Sequence, residues 1–316
     1  MNTSAPPTLD PVAALRFREL QSADKPSWLH NEVARRMEQR LDWFKDKPQN
    51  WIDWEPINGG LATHKSLLAR YPGIHSTVVE FNPRRLVEAQ KQLSPHWLAR
   101  FLPIVKISQL FKRGKQTFSL LQAPDKTQAD LVWANMLLHL APNPSELIRA
   151  WHRSLRVGGW VMFSCLGPDT SSQLRDIYAK LGWPLPAHEF TDMHDWGDML
   201  VEAGFADPVM DMERITLTYS SPESLIQDLR ALGRNFNRTR FNALRGRKWL
   251  HDFKSNLSAV GRAENNASRP EEALKIPLTF EIIYGHAFKV APKIRVSESS
   301  AFSAEDMRAM LRSSKN

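Results

Sequence analysis

The 316-residue chain has little cysteine and no long apolar run, and each shortage excludes a class of protein. A single cysteine, Cys165, excludes an intramolecular disulfide framework and fits a reducing compartment. No segment approaches the roughly 18 consecutive apolar residues of a membrane span, so we predict no membrane segment. The first ten residues are polar and proline-rich and lack the charged-then-apolar pattern of a signal peptide. We therefore expect a cytoplasmic protein.

Acidic residues are fewer than basic ones, which gives a net charge of +8. This excess predicts an anionic partner such as nucleic acid, a membrane surface or an acidic protein. The alternative is a solvated helix face that binds nothing. The positive charge is concentrated in the segment 234–254, where seven basic residues accompany Asp252 alone: Arg234, Arg238, Arg240, Arg245, Arg247, Lys248 and Lys254.

The most regular part of the chain reads as a strand, a helix, a turn and a second strand. Leu131–Trp133 is a short buried strand, and the amphipathic spacing of 145–155 predicts a helix. Gly158 and Gly159 end that helix and lead into a strand over 160–165, in which Cys165 is expected to be core. Asn135 follows the first strand at its carboxyl end, where open α/β sheets bind their ligands.

Alternating strands and helices predict an α/β, Rossmann-like fold with a mostly parallel sheet that is closed by an antiparallel hairpin. We expect a flexible N-terminus over 1–26, one domain over 27–290 with a helical, basic insertion near 221–275, and a polar tail over 291–316. The other predicted strands are 51–53, 77–80, 209–219 and 278–288, with a possible strand near 102–107. The other predicted helices are 27–45, 61–71, 84–93, 172–181, 192–203, 221–232 and 304–312, and a loop is expected over 261–271.

Glycine is scarce where a nucleoside cofactor would need it. Such a cofactor requires a close turn after the first strand and an acid after the second to bind the ribose. Asp53 and Glu80 fill the two acidic positions, but Glu55 and Ile57 stand where glycines are expected, and only the pair Gly59–Gly60 remains. A β-branched residue is poorly tolerated at positive φ. The alternative is that the acids cap strand ends and the glycines form a plain turn.

The chain resembles the malonyl-[acyl-carrier-protein] O-methyltransferases of biotin synthesis, which are class I S-adenosylmethionine-dependent enzymes. The resemblance covers roughly residues 28–290 and departs from the family at the glycine-poor turn. It implies S-adenosylmethionine as cofactor, with Phe81 and Met136 joining the candidate cofactor residues Asp53, Gly59, Gly60, Glu80 and Asn135. The segments that carry it are 30–37 with Leu41 and Asp42, 130–140, 166–170, 190–195, 203–217, 228–233 and 280–287.

The family also implies methyl transfer to the free carboxylate of a malonyl thioester. That carboxylate is already ionised, so the reaction needs positioning and exclusion of water rather than a general base. For each candidate substrate residue the alternative is a purely structural role. The candidates are Asp169, Thr170, Arg175, Arg214, Tyr284 and His286.

The resemblance gives the basic segment a partner, because acyl carrier proteins are acidic and a positive face would attract one. We expect docking near Arg245, Arg247 and Lys248, and we favour the carrier protein over nucleic acid. A second interpretation is a non-catalytic relative that kept the fold and acts as a binding or assembly partner. The missing glycines support that interpretation.

Overall fold

The computed structural model describes residues 8–20, 28–93, 115–120, 128–264 and 275–291. Seven strands form one sheet in the order β3-β2-β1-β4-β5-β7-β6. The first five are mutually parallel, and β7 runs antiparallel to both of its neighbours. The predicted mostly parallel sheet with an antiparallel closing pair is confirmed. The strands are β1 Asn50–Trp54, β2 His75–Glu80, β3 Gln116–Leu120, β4 Ala129–Ala134, β5 Leu155–Leu166, β6 Phe205–Tyr219 and β7 Ile276–Lys289.

Helices cover both faces of the sheet. Short 3₁₀ helices at Arg40–Trp43 and Leu138–Leu140 extend two of the connections. The α-helices are α1 Pro11–Leu20, α2 Trp28–Gln39, α3 Pro56–Gly59, α4 Leu61–Arg70, α5 Pro83–Leu93, α6 Pro144–Ser154, α7 Ser172–Lys180, α8 Met193–Glu202, α9 Pro222–Leu232 and α10 Arg247–Glu264.

Successive residues of each strand face opposite layers, so the sheet separates two apolar clusters. Trp51 packs in the layer formed by α2, α7, α9 and α10, whereas the adjacent Ile52 packs towards α6 and α8. All six residues of β4 are buried, as expected for a central strand covered on both faces. Cys165 is fully buried, as predicted, and burial raises the pKa of its thiol.

The strand expected near 102–107 lies outside the described residues, in which β3 is an additional strand. The structure differs from the sequence-based expectation at two places. Helix α10 continues to Glu264, so the loop expected from Gly261 cannot begin there. In the N-terminal segment, expected to be flexible, the structure forms α1 and buries Leu9 and Ala14. The helix expected at 304–312 lies outside the described residues.

Within the described ranges, no helix has both the length and the apolar character needed to cross a membrane.

Candidate functional site

The turn between β1 and α4 lies at the carboxyl edge of the sheet and contains the predicted glycines. Glu55 adopts a left-handed conformation with φ of 56°, and its amide donates to the Val79 carbonyl at 2.7 Å. Gly60 has φ of 112°, and a Cβ built there would lie 2.8 Å from Oδ1 of Asn31. Gly60 is therefore required by its backbone conformation, whereas the close Asn31 oxygen is the end of a side chain that can move.

Ile57 escapes the strain that its sequence position suggested. It lies in the helical turn α3 and is absent from the residues with positive φ. Its side chain packs with Leu61, Val78 and Ala89. The expectation that a β-branched residue would be strained here is therefore wrong, because Glu55 takes the left-handed position instead.

Asn135 and Met136 meet this turn from the end of β4. The Asn135 amide donates to the carbonyls of Gly59 and His30, and its Oδ1 accepts from Ser164 at 2.7 Å. The same Ser164 oxygen accepts from the Met136 amide at 3.0 Å, and Met136 has a positive φ of 52°. A Cβ on Gly59 would lie 3.3 Å from that of Asn135. These contacts of residues 135 and 136 thus fix the position of the turn relative to the end of β4.

The two acids of this edge have different partners. Asp53 is buried and accepts from Nδ1 of His64 at 2.7 Å, while Nε2 of His64 accepts from Nε2 of Gln116 at 3.0 Å. Burial raises the pKa of Asp53 against the opposing effect of His64. Because Asp53 bonds to His64 of α4, it supports the turn that joins β1 to α4.

Glu80 is fully buried, and only one of its oxygens accepts a hydrogen bond from the described residues. Oε1 accepts from the Ile57 amide at 2.9 Å, whereas Oε2 accepts from no residue that the structure describes. Burial, and then the nearby Glu55 carboxylate, raise the pKa of Glu80 to about 8. An orphaned carboxyl oxygen beside a glycine turn fits a ligand that carries hydroxyl groups, as a ribose does.

Arg18 also belongs to this cluster, although no pattern in the sequence indicates it. The guanidinium of Arg18 forms an ion pair with Glu55 and lies over the ring of Phe81, 4.1 Å from its centroid. A signal for helix α1 was present in Asp10–Pro11, since aspartate caps helices and proline suits their first position. Oδ1 of Asp10 accepts from the amides of Val12 and Ala13.

A cavity of about 750 Å³ opens beyond the ends of β4 and β5, and none of the turn residues named above lines it. Its walls are mostly aliphatic and aromatic, with a few cations. Among its lining residues are His139, Leu140, Leu166, Thr170, Arg175, Tyr178, His188, Leu229, Arg230, Arg234, Trp249, Phe253 and Phe280.

Two of the six candidate substrate residues line this cavity. Arg175 donates from Nη1 to the Thr170 carbonyl at 2.7 Å, and Thr170 donates from Oγ1 to the Glu281 carbonyl at 3.1 Å. The loop after β5 is therefore tied to β7, and it places a guanidinium at the cavity wall. A guanidinium is well suited to binding a carboxylate.

The other four candidates do not line the cavity. Asp169 and Arg214 pair with each other, each about half exposed. The Tyr284 hydroxyl donates to Glu213 at 2.6 Å, and His286 packs edge-on to Phe44. Tyr284 and His286 pair with Ser164 and Met162 in β5, well inside the sheet edge.

Two histidines beside the cavity are held neutral. Burial lowers the pKa of His139 well below its usual value and that of His188 to about 4. Nε2 of His188 donates to the His139 carbonyl at 3.1 Å. Neither imidazole has the basicity expected of a general base near neutral pH.

The three predicted docking residues have different environments. Arg245 lies 4.3 Å from the ring centroid of Phe241 and 4.9 Å from that of Trp249. Lys248 pairs with Asp252 one turn along α10, and Arg247 is exposed. Arg245 is thus partly a packing residue, while Arg247 and Lys248 face solvent.

Comparisons with known proteins agree with this geometry. The profile of a methyltransferase-domain family matches residues 27–207, more than half of the chain. The malonyl-[acyl-carrier protein] O-methyltransferase of Laribacter hongkongensis is 34% identical over 290 residues, which cover 90% of each chain. The protein of that name in Nitrosospira multiformis is 35% identical over 280 residues, 86% of each chain.

Among solved structures, a Bacillus halodurans protein assigned as a methyltransferase superposes with a TM-score of 0.50 at 13% identity. The superposition covers 82% of this chain and 100% of the other, and it shows a common fold. The sheet order, the site at its carboxyl edge and the near full-length relatives agree with the resemblance found in the sequence. The chain belongs to the malonyl-[acyl-carrier protein] O-methyltransferase family.

Proposed function

We propose that this protein methylates the free carboxylate of a malonyl thioester on an acyl carrier protein, as a step of biotin synthesis. When bound, S-adenosylmethionine supplies a methyl group on a positively charged sulfur. A carboxylate oxygen forms the new bond to that methyl carbon, the carbon–sulfur bond breaks, and S-adenosylhomocysteine and a methyl ester result. The observation that carries the proposal is an orphaned, buried Glu80 oxygen at the glycine turn, on the same edge of the sheet as an open cavity beyond β4 and β5.

The residues of the turn divide the work of holding the cofactor. Glu80 receives the ribose hydroxyls, and Phe81 forms a wall for the base. Gly59 and Gly60 allow the backbone to approach the ligand. Asp53, Asn135 and Met136 fix the turn through their contacts with His64, Gly59 and Ser164.

The cavity receives the thioester. Arg175 binds the malonyl carboxylate, and Thr170 orients Arg175 through its carbonyl. The carboxylate is ionised at neutral pH, so no residue needs to remove a proton. The apolar walls exclude water, and the chain accelerates transfer by orienting the oxygen towards the methyl group.

The acidic carrier protein docks on the basic segment 234–254, with Arg247 and Lys248 as its outward charges. Complementary charge of this kind raises the association rate more than the final affinity. Arg245 contributes through the aromatic cluster that it stabilises. The single buried cysteine fits function in a reducing cytoplasm.

One observation favours the second candidate function, a non-catalytic binding or assembly partner. Arg18 covers Phe81 and neutralises Glu55, so the chain itself fills part of the proposed cofactor site. A protein that had lost its cofactor would keep such a contact permanently.

Two measurements separate the candidates. Calorimetric titration with S-adenosylhomocysteine is expected to show binding, and Glu80→Ala is expected to weaken it by roughly 10- to 100-fold through loss of a buried hydrogen-bonding carboxyl. Methyl transfer from labelled S-adenosylmethionine is then measured with malonyl-carrier and, as control, acetyl-carrier protein, which has no free carboxylate. Label on the malonyl form alone supports the proposal. Absence of both binding and transfer would favour the assembly role.

A further inference from the structure

Arg18 belongs to a short N-terminal strap, which we define as residues 8–19. Its side chain is only 12% exposed, and its guanidinium is shared between the Glu55 carboxylate and the Phe81 ring. Nε of Arg18 donates to no described residue. A buried cation with one ion pair, one ring and an unpaired donor is only partly compensated for its desolvation.

The two glutamates that the cofactor would approach are buried, and Arg18 of the strap pairs with one of them, Glu55. Glu80 is 0% exposed and Glu55 is 4% exposed, although both lie at the carboxyl edge of the sheet. A ligand cannot reach the orphaned Oε2 of Glu80 while these residues remain covered. The proposed function therefore requires that Arg18 leave its place beside Glu55 and over Phe81.

The strap is attached elsewhere, at its amino end. The Asp10 amide donates to the Phe236 carbonyl at 2.7 Å, and the Arg238 amide donates to Thr8 at 3.0 Å. Asp10 also pairs with Arg240 at 2.8 Å. These contacts lie about two helical turns from Arg18, so the Arg18 contacts can break while the anchor stays in place.

We propose that Arg18 and the cofactor compete for one place, over Phe81 and beside Glu55, so that the strap must release Arg18 before the cofactor binds. This inference rests on the proposed function. It assigns to Arg18 a role in setting cofactor affinity rather than in catalysis.

The cofactor can replace the interactions that are lost when Arg18 leaves. A guanidinium is planar and stacks on an aromatic face, and an adenine base can do the same. Glu55 loses one cation when Arg18 leaves, and S-adenosylmethionine carries positive charge on its sulfur and its amino group. The cofactor thus restores to the cluster the kind of interactions that Arg18 gives up.

The test compares Arg18→Ala with Arg16→Ala, which removes an exposed arginine from the same helix. S-adenosylhomocysteine binding is measured by calorimetry on the full chain. If the site is open in about one molecule in ten, Arg18→Ala should bind roughly tenfold more tightly, and Arg16→Ala should match the unaltered protein. Arg18→Lys, which keeps the charge but loses the planar group, should lie between them.

A second readout guards against a variant that folds poorly. In the unaltered protein, hydrogen exchange of the amides of residues 14–19 should become faster when S-adenosylhomocysteine is added. Unchanged or weaker binding by Arg18→Ala, or slower exchange in the strap, would overturn the competition while leaving the proposed function intact. Failure of every form to bind would overturn both, whereas binding by Arg18→Ala alone would support the competition and count against the proposed activity of the unaltered chain.

Discussion

The turn after β1 and the cavity beyond β4 and β5 lie at the same edge of one sheet, yet they are built in opposite ways. The turn is filled by the chain's own charged groups, with Arg18 over Phe81 and two buried glutamates beneath it. The cavity is open, about 750 Å³ in volume, and lined mainly by apolar groups. The turn must release Arg18 before it binds its ligand, whereas the cavity is open to its ligand without such a change.

Their buried titratable groups differ in the same way. The turn holds a carboxyl group, Glu80, whose pKa burial and the neighbouring Glu55 raise to about 8. The cavity holds imidazoles whose pKa values burial lowers, His188 to about 4. Each region therefore keeps its own group neutral. Raising the pH favours loss of the Glu80 proton, whereas lowering the pH favours protonation of His188.

The largest expected effect tests the turn. In the folded chain the pKa of Glu80 is about 8, whereas a glutamate of the unfolded chain loses its proton near pH 4.5, so the free energy of unfolding falls as pH rises through this window. The loss is roughly 1 kcal/mol per pH unit. Glu80→Gln should remove it, making the variant the more stable form at pH 8 and nearly equal at pH 4.5.

Urea unfolding of the cofactor-free protein between pH 4.5 and pH 8 measures this difference. Glu202→Gln, which alters an exposed glutamate of α8, should leave the pH profile unchanged. A constant difference between Glu80→Gln and the unaltered protein at all pH values would mean that Glu80 is ionised, and the contrast between the regions would fail.

The cavity should show the opposite sign with a smaller effect. An unfolded histidine gains its proton near pH 6.5, and folded His188 gains its proton only near pH 4. The free energy of unfolding therefore falls as pH drops through that window. His188→Asn, which can still donate to the His139 carbonyl, should reduce this loss in acid-unfolding measurements. The exposed control His194→Asn should behave like the unaltered protein, and an identical acid profile for His188→Asn would refute the assignment.

Filling the cavity should weaken binding of the malonyl-carrier substrate without changing binding of S-adenosylhomocysteine. Leu229→Trp places a larger ring in the cavity wall, so KM for the malonyl-carrier substrate should rise by about tenfold, a modest steric effect on binding energy. The Kd for S-adenosylhomocysteine should not change, since the turn is untouched. Val157→Trp, at an exposed position on β5, is the control. An equal loss of cofactor affinity would show that the cavity and the turn form one compartment.

The smallest effect concerns the exposed charges of Arg247 and Lys248 on α10, the helix that contributes Trp249 and Phe253 to the cavity wall. Arg247→Glu with Lys248→Glu should slow carrier-protein association several-fold at low salt and little at high salt, because exposed charges are screened. Arg149→Glu with Arg153→Glu makes the same change in net charge on exposed residues of α6, on the other face of the sheet. Stopped-flow rates that fall equally for both pairs would leave only an effect of net charge.

Local periodicity was sufficient to predict most of the sheet and its helices. The end of β4 predicted that Asn135 would lie at the ligand edge, and its contact with Gly59 fits that position. Tyr284 and His286 were chosen by motif and did not reach the cavity. Each step along antiparallel β7 leads away from the carboxyl end of β5, and the register of that pairing is not encoded in either strand alone.

Arg18 could not be found from the sequence for a different reason. The start of α1 is marked by Asp10 and Pro11, but nothing local specifies that the helix packs beside Glu55, 37 residues away. Long-range packing of a short helix depends on what the rest of the fold leaves exposed. The cavity could not be predicted for the same reason, since its walls come from the 3₁₀ helix Leu138–Leu140, β5, β7, α7, α9 and α10 together.

The small apolar cluster under the strap redefines the folded unit. Leu9 and Ala14 pack with Leu140 and Phe236, and the tilted ring of Phe17 lies 5.3 Å from that of Phe236, whereas the family match begins only at residue 27. A recombinant fragment trimmed to the family boundary would uncover these side chains and leave an apolar patch beside the basic segment. Such a fragment should self-associate, so a fragment that stays monomeric should begin no later than Thr8.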